Sequence, residues 1–420
     1  MSSIIYLFFY AIVWGVLLYF FIRKNKEVGI GGSIIIAYFV SSIATIIFFN
    51  GIGEVLDGEG EISLMPLCYL FFCINICVFP IYLHSKKLLK LPYRKTTQEL
   101  TLFKIFMTAI IPFAIEGFLE VLYVAIVTKT DSFVKIYDSE VDIVGQQLSF
   151  IGRITTFICR LLVYVWPFLF FYFINIKKYR MYAYIAIIAY MVNILYSYSN
   201  AARVGIVRWI LLFVINFLLW RKSLDSIIKK RIVTIGLVAF SLFVIMLSLI
   251  TINRFEHLST SSGLGTWLSL YLGEAPINFC QYLWDLDKTE NGDNMFALIT
   301  QILGMDPIID MTERREHWAG ILGIPTHIFY SFVGDLFLDL GKFITPLFCI
   351  SFCILLESYI RKILLRGYYD IISLFMLSIV LLAFTFGFMY YPFKVYNMQI
   401  CLLCSCIFMV ICHIITRKIK

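Results

Sequence analysis

Charged residues are scarce in this chain. Only 15% of its 420 residues are Asp, Glu, Lys or Arg, while 61% are hydrophobic. Soluble domains carry about 25% charged residues, so the composition excludes a soluble globular protein. Apolar stretches of about 20 residues recur along the chain, and each is long enough to cross the hydrocarbon core of a bilayer as a helix. Their number and spacing exclude a transmembrane barrel, whose strands alternate over about 10 residues.

The motifs of several enzyme classes are also missing. The sequence contains no Walker loop and no dinucleotide-binding fingerprint, so nothing in it indicates nucleotide use. His257, His317 and His327 are too far apart for an HExxH-like site, and we therefore predict neither a metal nor a cofactor. The 11 cysteines do not predict a disulfide framework, because all but Cys280 lie in apolar runs, where cysteine packs as a small hydrophobe.

The apolar runs predict an all-α, polytopic integral membrane protein with about eleven transmembrane helices. The predicted spans are 4–22, 32–49, 65–84, 105–127, 151–175, 182–199, 204–220, 232–252, 342–360, 370–389 and 398–415. The first run lacks a small-residue cleavage site and is followed by the basic stretch 23–26, which predicts a retained helix and not a signal peptide.

Lys and Arg are concentrated in every second hinge between these spans. The basic hinges lie at 23–26, 86–104, 177–180, 221–231, 361–366 and 417–420. Because hinges rich in Lys and Arg stay in the cytoplasm, the pattern predicts an external N-terminus and a cytoplasmic C-terminus. The net charge of +8 is then a topology signal, and we predict no nucleic-acid partner.

The longest polar interruption, at 253–341, divides the chain into three segments. Residues 1–252 hold eight predicted helices, 253–341 form one large loop outside the membrane, and 342–420 hold three more helices. Two parts of the loop, 264–284 and 294–305, are apolar but broken by Gly, Pro and polar residues. This mixture predicts interfacial helices that lie on the outer leaflet.

Two arginines oppose the charge bias. Arg203 and Arg208 lie at the outer end of the span 204–220, where basic residues are disfavoured. A guanidinium group suits bidentate binding of phosphate or carboxylate, so both are candidate ligand-binding residues. The alternative is an arginine that extends from a helix end to the interface.

A third arginine falls inside a predicted span. Arg160 lies near the middle of the span 151–175, and Glu116 has a comparable depth in the preceding span. A charge at that depth is costly without a partner. We therefore predict a buried ion pair between Glu116 and Arg160, with a role in substrate binding as the alternative.

The large loop contributes further candidates. Arg314, Arg315 and His317 lie in one charged run, which is typical either of a solvated turn or of a phosphate or sugar site. His327 follows Pro325 and Thr326 near the end of the loop, and a histidine there is either a base near neutral pH or a structural residue.

Two carboxylates precede the ninth predicted span. Asp335 and Asp339 are four residues apart and share one face of a helix. They are candidates for a base or for sugar hydroxyl binding, and they are equally suited to stabilise the first turn of the helix.

Three short motifs resemble the Wzy-type O-antigen and capsular oligosaccharide repeat-unit polymerases. The first is the hinge NAARVG at 200–205, in which two alanines replace polar residues usual in the family. The second is Tyr271-x-x-Glu274 followed by APINF, early in the large loop. The third is Pro325-Thr326 with GDLFLDLG at 334–341, which is similar to the family's entry to the helix after that loop.

The resemblance implies a GT-C-like fold in the bacterial inner membrane and a metal-independent glycosyltransferase that uses undecaprenyl-diphosphate-linked glycans. It implies diphosphate or sugar contacts at Arg203, Arg208, Arg314, Arg315, Glu274 and Asp339. His317, His327 or Asp335 would then lie near the acceptor hydroxyl. A flippase and a chain-length regulator are the implied partners. An O-antigen ligase and a lipid-linked oligosaccharide flippase or transporter are the alternatives, although transporters usually show internal repeats, which we do not find.

Overall fold

A computed structural model describes most of the chain and is built almost wholly of helices. The described residues are 2–52, 61–127, 143–200, 202–238, 241, 264–326 and 328–418. Helix accounts for 82% of the structure, with no strand in the described ranges beyond a single bridge between Tyr93 and Tyr369. The predicted all-α class is confirmed.

The helices are numbered in chain order. The first half contains α1 (Ser2–Asn25), α2 (Gly29–Ile52), α3 (Leu64–Lys90), α4 (Thr97–Val127), α5 (Ile143–Gln147), α6 (Phe150–Leu161), α7 (Trp166–Ile174), α8 (Arg180–Ser199) and α9 (Arg203–Trp220). The second half contains α10 (226–238), α11 (Leu264–Asn278), α12 (Ala297–Ile302), α13 (Met311–Leu322), α14 (Ser331–Arg366), α15 (Ile371–Phe386) and α16 (Tyr396–Lys418).

Eight helices of the described chain are long and apolar enough to cross a membrane, which supports the predicted polytopic membrane class. They are α1, α2, α3, α4, α8, α9, α14 and α16. Helix α15 is apolar but only 16 residues long. The predicted span 232–252 lies mostly outside the described residues, so this span stays a prediction.

The predicted span 151–175 is not one straight helix. Helices α6 and α7 occupy it and meet at an angle of 76°. Pro167 lies in the first turn of α7, where a proline needs no hydrogen bond and starts a new helix. Buried backbone at such a break must find partners inside the protein. Val165 accordingly donates its N–H to the Leu162 carbonyl, 2.9 Å away, and the Trp166 indole donates to the Cys159 carbonyl at 2.7 Å.

The chain divides into two compact units whose borders differ from the three predicted segments. Unit 1 comprises residues 1–90, 261–366 and 381–399, and unit 2 comprises 91–260, 367–380 and 400–420. The predicted loop from residue 261 onward therefore belongs to the same unit as the first three helices.

Within unit 1, α11 packs against α2 at a point of very close approach. A Cβ atom on Gly273 would fall on the backbone of Ala44 and Thr45 in α2, so only glycine permits this crossing. Ala275, Ile277 and Phe279, which follow in the chain, are almost wholly buried. This part of 264–284 was predicted to lie on the outer leaflet, and the structure instead packs it into the protein, because glycine lets two apolar helices meet.

The predicted end of the loop coincides with a sharp kink. Helix α14 is helical on both sides of Gly341, but Gly341 itself has φ 75° and ψ 176°, a conformation that essentially only glycine adopts. The segment Ser331–Leu340 thus forms a short buried helix before the long apolar one, although the sequence predicted a loop for it.

Unit 2 has a core rich in aromatic residues. Tyr93 packs against Trp220 with ring centroids 4.6 Å apart, and the rings of Phe168 and Tyr172 join the same cluster. All four side chains are buried. Such rings bury large apolar areas and prefer the edge-to-face arrangements seen here, which ties α7 to α9 and to the segment before α4.

Candidate functional site: a buried charge cluster in unit 1

The GDLFLDLG motif occupies the short first part of α14, and its residues point into unit 1. A Cβ atom on Gly334 would lie 2.7 Å from the Tyr330 Cβ and 3.3 Å from Leu283. Phe337 packs edge to face on Phe279, 5.4 Å between centroids. These contacts and the kink at Gly341 explain why the motif has glycine at positions 334 and 341 and an aromatic residue at position 337.

Asp335 is fully buried and binds three groups. One carboxylate oxygen accepts the backbone N–H of Tyr391 at 2.6 Å. The other accepts the Asn294 side-chain amide at 3.3 Å and forms an ion pair with the Lys394 ammonium at 3.4 Å. Asp335 therefore joins α14 to the loop before α12 and to the segment between α15 and α16.

Asp339, one turn later, binds the same loop through its backbone. Its two carboxylate oxygens accept the N–H groups of Asn294, 3.1 Å away, and Met295, 2.6 Å away. Both N–H groups are buried and would otherwise lack a partner, which is costly. Asp335 and Asp339 thus do share a face, as predicted, and all four of their oxygens already have protein partners.

Arg314, like Lys394, is a cation that lies among these buried carboxylates. It lies on α13, with its side chain only 10% exposed, and its guanidinium is 3.2 Å from the Glu290 carboxylate. It also donates to the Asn294 side-chain oxygen at 3.3 Å. The charged run around Arg314 is therefore not wholly a solvated turn, because this arginine faces inward.

The cluster contains more carboxylates than cations. Glu290, Asp293, Asp335 and Asp339 are buried, against Arg314 and Lys394. Burial raises the pKa of Glu290 to about 7, although Arg314 opposes the shift, and burial also raises the pKa of Asp293. Burial lowers the pKa of Lys394, while Asp335 opposes that shift. Desolvation therefore disfavours the charged forms of Glu290, Asp293 and Lys394, and of these Glu290 is the one whose pKa lies near neutral pH.

A small cavity adjoins both cations. Its volume is about 10 Å³, room for about one water molecule, and its lining includes Asp293, Arg314, Lys394 and Tyr396. Asp293 is held in place by the Trp318 indole N–H at 2.6 Å and by the Ile308 N–H at 3.1 Å.

Glu274 of the second motif lies at the start of another polar group in unit 1. It is half-buried on α11 and accepts the Phe329 N–H at 3.2 Å, while Asn278 donates to the Phe329 carbonyl at 3.0 Å. Burial raises the pKa of Glu274 to about 7, and Lys394 acts in the opposite direction. The second and third motifs of the resemblance therefore meet, since Phe329 lies between Pro325 and Gly334.

The remaining loop candidates differ in their placement. Arg315 is half-buried, and its carbonyl accepts the Thr326 hydroxyl at 2.8 Å. His317 is exposed, with its ring 5.1 Å from that of Trp318, and it is close enough to Asp293 of the charge cluster to interact with that carboxylate. His327 lies outside the described residues.

The other predicted arginines belong to unit 2. Arg203 is the first residue of α9, and its side chain is outside what the structure describes. Arg208 is buried, with its guanidinium carbon 5.4 Å from the centroid of the Trp209 ring.

The predicted pair of Glu116 and Arg160 is not formed among the described residues. Arg160 instead places its guanidinium over the ring of Tyr196 on α8, 3.7 Å from the centroid, which is a cation–π contact. It is Glu120, one turn after Glu116, that meets α6, where it accepts the Ser149 hydroxyl at 2.6 Å. Arg160 lies in the last turn of α6, directly before the break that leads into α7, and a single helix over 151–175 could not have indicated this.

Sequence reasoning missed Glu290, Asn294 and Lys394. Lys394 carried a usable signal, since it lies in a hinge on the predicted outer side and opposes the charge bias as Arg203 does. Glu290 and Asn294 carried none, because polar residues in a polar loop are unremarkable until the fold buries them.

Within the part of the chain that the structure covers, no group of three or more His, Cys, Asp or Glu residues is arranged to hold a metal ion. No protein-family model, curated protein or solved structure matches this chain.

Proposed function

We propose that this protein polymerises oligosaccharide repeat units carried on undecaprenyl diphosphate, as its resemblance to the Wzy-type polymerases implies. One observation carries the proposal. Glu274 and the Pro325–Gly341 stretch, which belong to two separate motifs of the resemblance, come together in unit 1 beside Arg314 and Lys394. Motifs far apart in the sequence that converge on buried titratable groups are typical of a functional site.

The proposed reaction moves the growing glycan from its lipid diphosphate to the non-reducing end of an incoming lipid-linked repeat unit. Cationic groups would stabilise the charge that develops on the departing diphosphate. A carboxylate would orient the attacking hydroxyl, and the transition state would have oxocarbenium character. The proposal includes a GT-C-like fold, a flippase and a chain-length regulator as partners, and a site on the outer face of the inner membrane. Arg203 and Arg208 of unit 2 remain proposed diphosphate contacts.

Deletion of the gene tests the proposed function. We expect the mutant to carry surface glycan of at most one attached repeat unit, so that the ladder of chain lengths disappears from a gel. Complementation with the intact gene should restore the ladder. A full-length ladder in the mutant would refute the polymerase, and loss of even the single attached unit would favour a ligase or a flippase.

A proton-coupled carrier of lipid-linked glycans is a second candidate. It is favoured by the pKa of about 7 of both Glu274 and Glu290, since buried carboxylates that titrate near neutral pH are suited to proton coupling. A carrier would move a fluorescent lipid-linked glycan across the bilayer of a proteoliposome in response to a pH gradient. A polymerase would lengthen the glycan without such a gradient.

Cysteine labelling tests the proposed orientation. Glu316 is exposed on α13, and Lys222 is exposed after α9. We expect a cysteine at position 316 to react with an impermeant maleimide in intact cells, and a cysteine at position 222 to react only after lysis. The reverse pattern would invert the predicted topology.

A further inference from the structure

Glu274 is linked to a group of aromatic residues through the Phe329 N–H that its carboxylate accepts. Tyr271, one turn earlier on α11, packs on Phe329 with ring centroids 6.0 Å apart. Phe329 in turn stacks on Tyr390 at 5.3 Å. Tyr271, Glu274 and Phe329 are all half-buried, so each keeps part of its surface accessible. An apolar ring face next to a carboxylate is the combination that binds a sugar, whose C–H face packs on the ring while its hydroxyls seek an acceptor.

Glu274 is also the carboxylate with room to react. Asp335 and Asp339 use all of their oxygens to bind backbone, Asn294 and Lys394, and both are buried. Glu290 is only 2% exposed and is paired with Arg314. Glu274 is anchored by the Phe329 N–H and by the Asn278 side chain, yet its residue remains partly accessible.

The charged and titratable groups that face Glu274 are few. Lys394, in the segment before α16, lowers the pKa of Glu274. Tyr330, next to α14, also interacts with Glu274, although burial is the main reason that the pKa of Tyr330 is raised. Burial outweighs the effect of Lys394 and brings the pKa of Glu274 to about 7. A base with a pKa near the working pH is half deprotonated and still basic enough to take a proton.

We propose that Glu274 is the catalytic base for the incoming sugar and that Tyr271 and Phe329 form the surface on which this sugar lies. The inference rests on the proposed function and adds the proton acceptor to it. The acceptor hydroxyl oxygen forms a bond to the anomeric carbon of the growing glycan as its proton passes to the Glu274 carboxylate. The bond from that carbon to the diphosphate breaks, and the electron pair leaves with the lipid diphosphate.

The test uses full-length protein in lipid nanodiscs and lipid-linked oligosaccharide extracted from the deletion mutant. Glu274→Gln keeps an oxygen for the Phe329 N–H but takes no proton. We expect its rate of chain elongation to fall at least about 100-fold, the lower range for loss of a general base. Glu274→Asp should recover part of that rate, and the acid limb of the pH–rate profile, set by the pKa of about 7, should be lost in Glu274→Gln.

Matched control variants distinguish loss of the catalytic base from a general loss of folding. Asp287→Asn changes an exposed carboxylate of the same unit and should leave the rate unchanged. Tyr271→Leu should raise KM for the acceptor more than it lowers kcat, whereas a purely structural role would change the thermal stability instead.

Two failures are distinguishable. If wild-type protein elongates the glycan and Glu274→Gln does so at the same rate with the same pH profile, the assignment of the base is wrong and the polymerase proposal stands. If wild-type protein does not elongate the extracted substrate, the proposed function fails, and this inference fails with it.

Discussion

Arg314 and Glu290 form a buried ion pair, 3.2 Å apart, with side chains 10% and 2% exposed. The pair joins α13 to the loop before α12. Asn294, which binds Arg314, also binds Asp335, so the same loop is tied to α14. The charge cluster is therefore continuous, and each member limits the freedom of the next.

Loss of one partner from this pair should destabilise the protein. Arg314→Met leaves Glu290 buried without its cation, and breaking a buried pair costs about 3–5 kcal/mol. We expect the melting temperature in detergent to fall clearly for Arg314→Met and to recover partly in the double variant with Glu290→Leu. Arg361→Ala removes an exposed partner of Glu357 and should cost less than about 1 kcal/mol. If Arg314→Met and Arg361→Ala lowered the melting temperature by the same amount, the buried ion pair would be contradicted.

Stability should depend on pH through Glu290 and Glu274. The pKa of each is raised from 4.5 to about 7, so the folded protein holds protons that the unfolded chain releases. Stability from these groups is therefore greatest below about 4.5 and declines as the pH rises towards about 7. We expect the melting temperature to fall over this window, with a weaker slope in Glu274→Gln. A melting temperature that rises over the same window would show the opposite sign of linkage.

Asp339 should act mainly through the backbone it binds. Asp339→Ala removes the acceptor from two buried N–H groups, and each unsatisfied donor costs about 1–3 kcal/mol. Asp339→Asn keeps one acceptor oxygen and should lose less. Thermal melting of the purified variants checks this order, with Asp287→Ala as the exposed control. An Asp339→Ala variant as stable as wild type would remove the structural role.

The crossing of α11 and α2 provides a steric test. Gly273→Ala places a methyl group on the backbone of Ala44 and Thr45. The two helices can make room for it only by moving apart. We expect a large drop in melting temperature and in the amount of folded protein recovered from membranes. Gly320→Ala is the matched control, because a Cβ there meets nothing within 4 Å and alanine favours a helix. Indistinguishable variants would refute the close approach.

Prediction from the sequence was most successful for the long apolar helices. Spans such as 65–84 and 398–415 lie within helices of the structure because any uninterrupted apolar run of that length satisfies its backbone as a helix. It was wrong for the straight span 151–175, because Pro167 favours a new helix start whose angle depends on packing. For 331–340, the sequence predicted that Asp335 and Asp339 share one face of a helix, and the structure has both on the short first part of α14, which is stabilised by contacts to distant residues.

The candidate site was predictable only in part. Arg314, Asp335, Asp339 and Glu274 were identified as residues, but their roles were not. Asp335 was expected beside the acceptor hydroxyl, and its oxygens instead bind Tyr391, Asn294 and Lys394. Whether a carboxylate can react depends on which of its oxygens are already bound, and those partners lie more than 40 residues away in the chain.

The sequence by itself determined the membrane class and the all-α architecture, because each follows from local chemistry, whereas the kink at Gly341 was seen only in the structure. Hydrophobic length, helical period and the freedom of glycine act over a few residues. Only the tertiary structure decided which charges are buried together, that Arg160 meets Tyr196 and not Glu116, and that Glu274 remains partly open. Burial and pairing are properties of segments brought together in space, and these set the pKa values and the chemistry of the site.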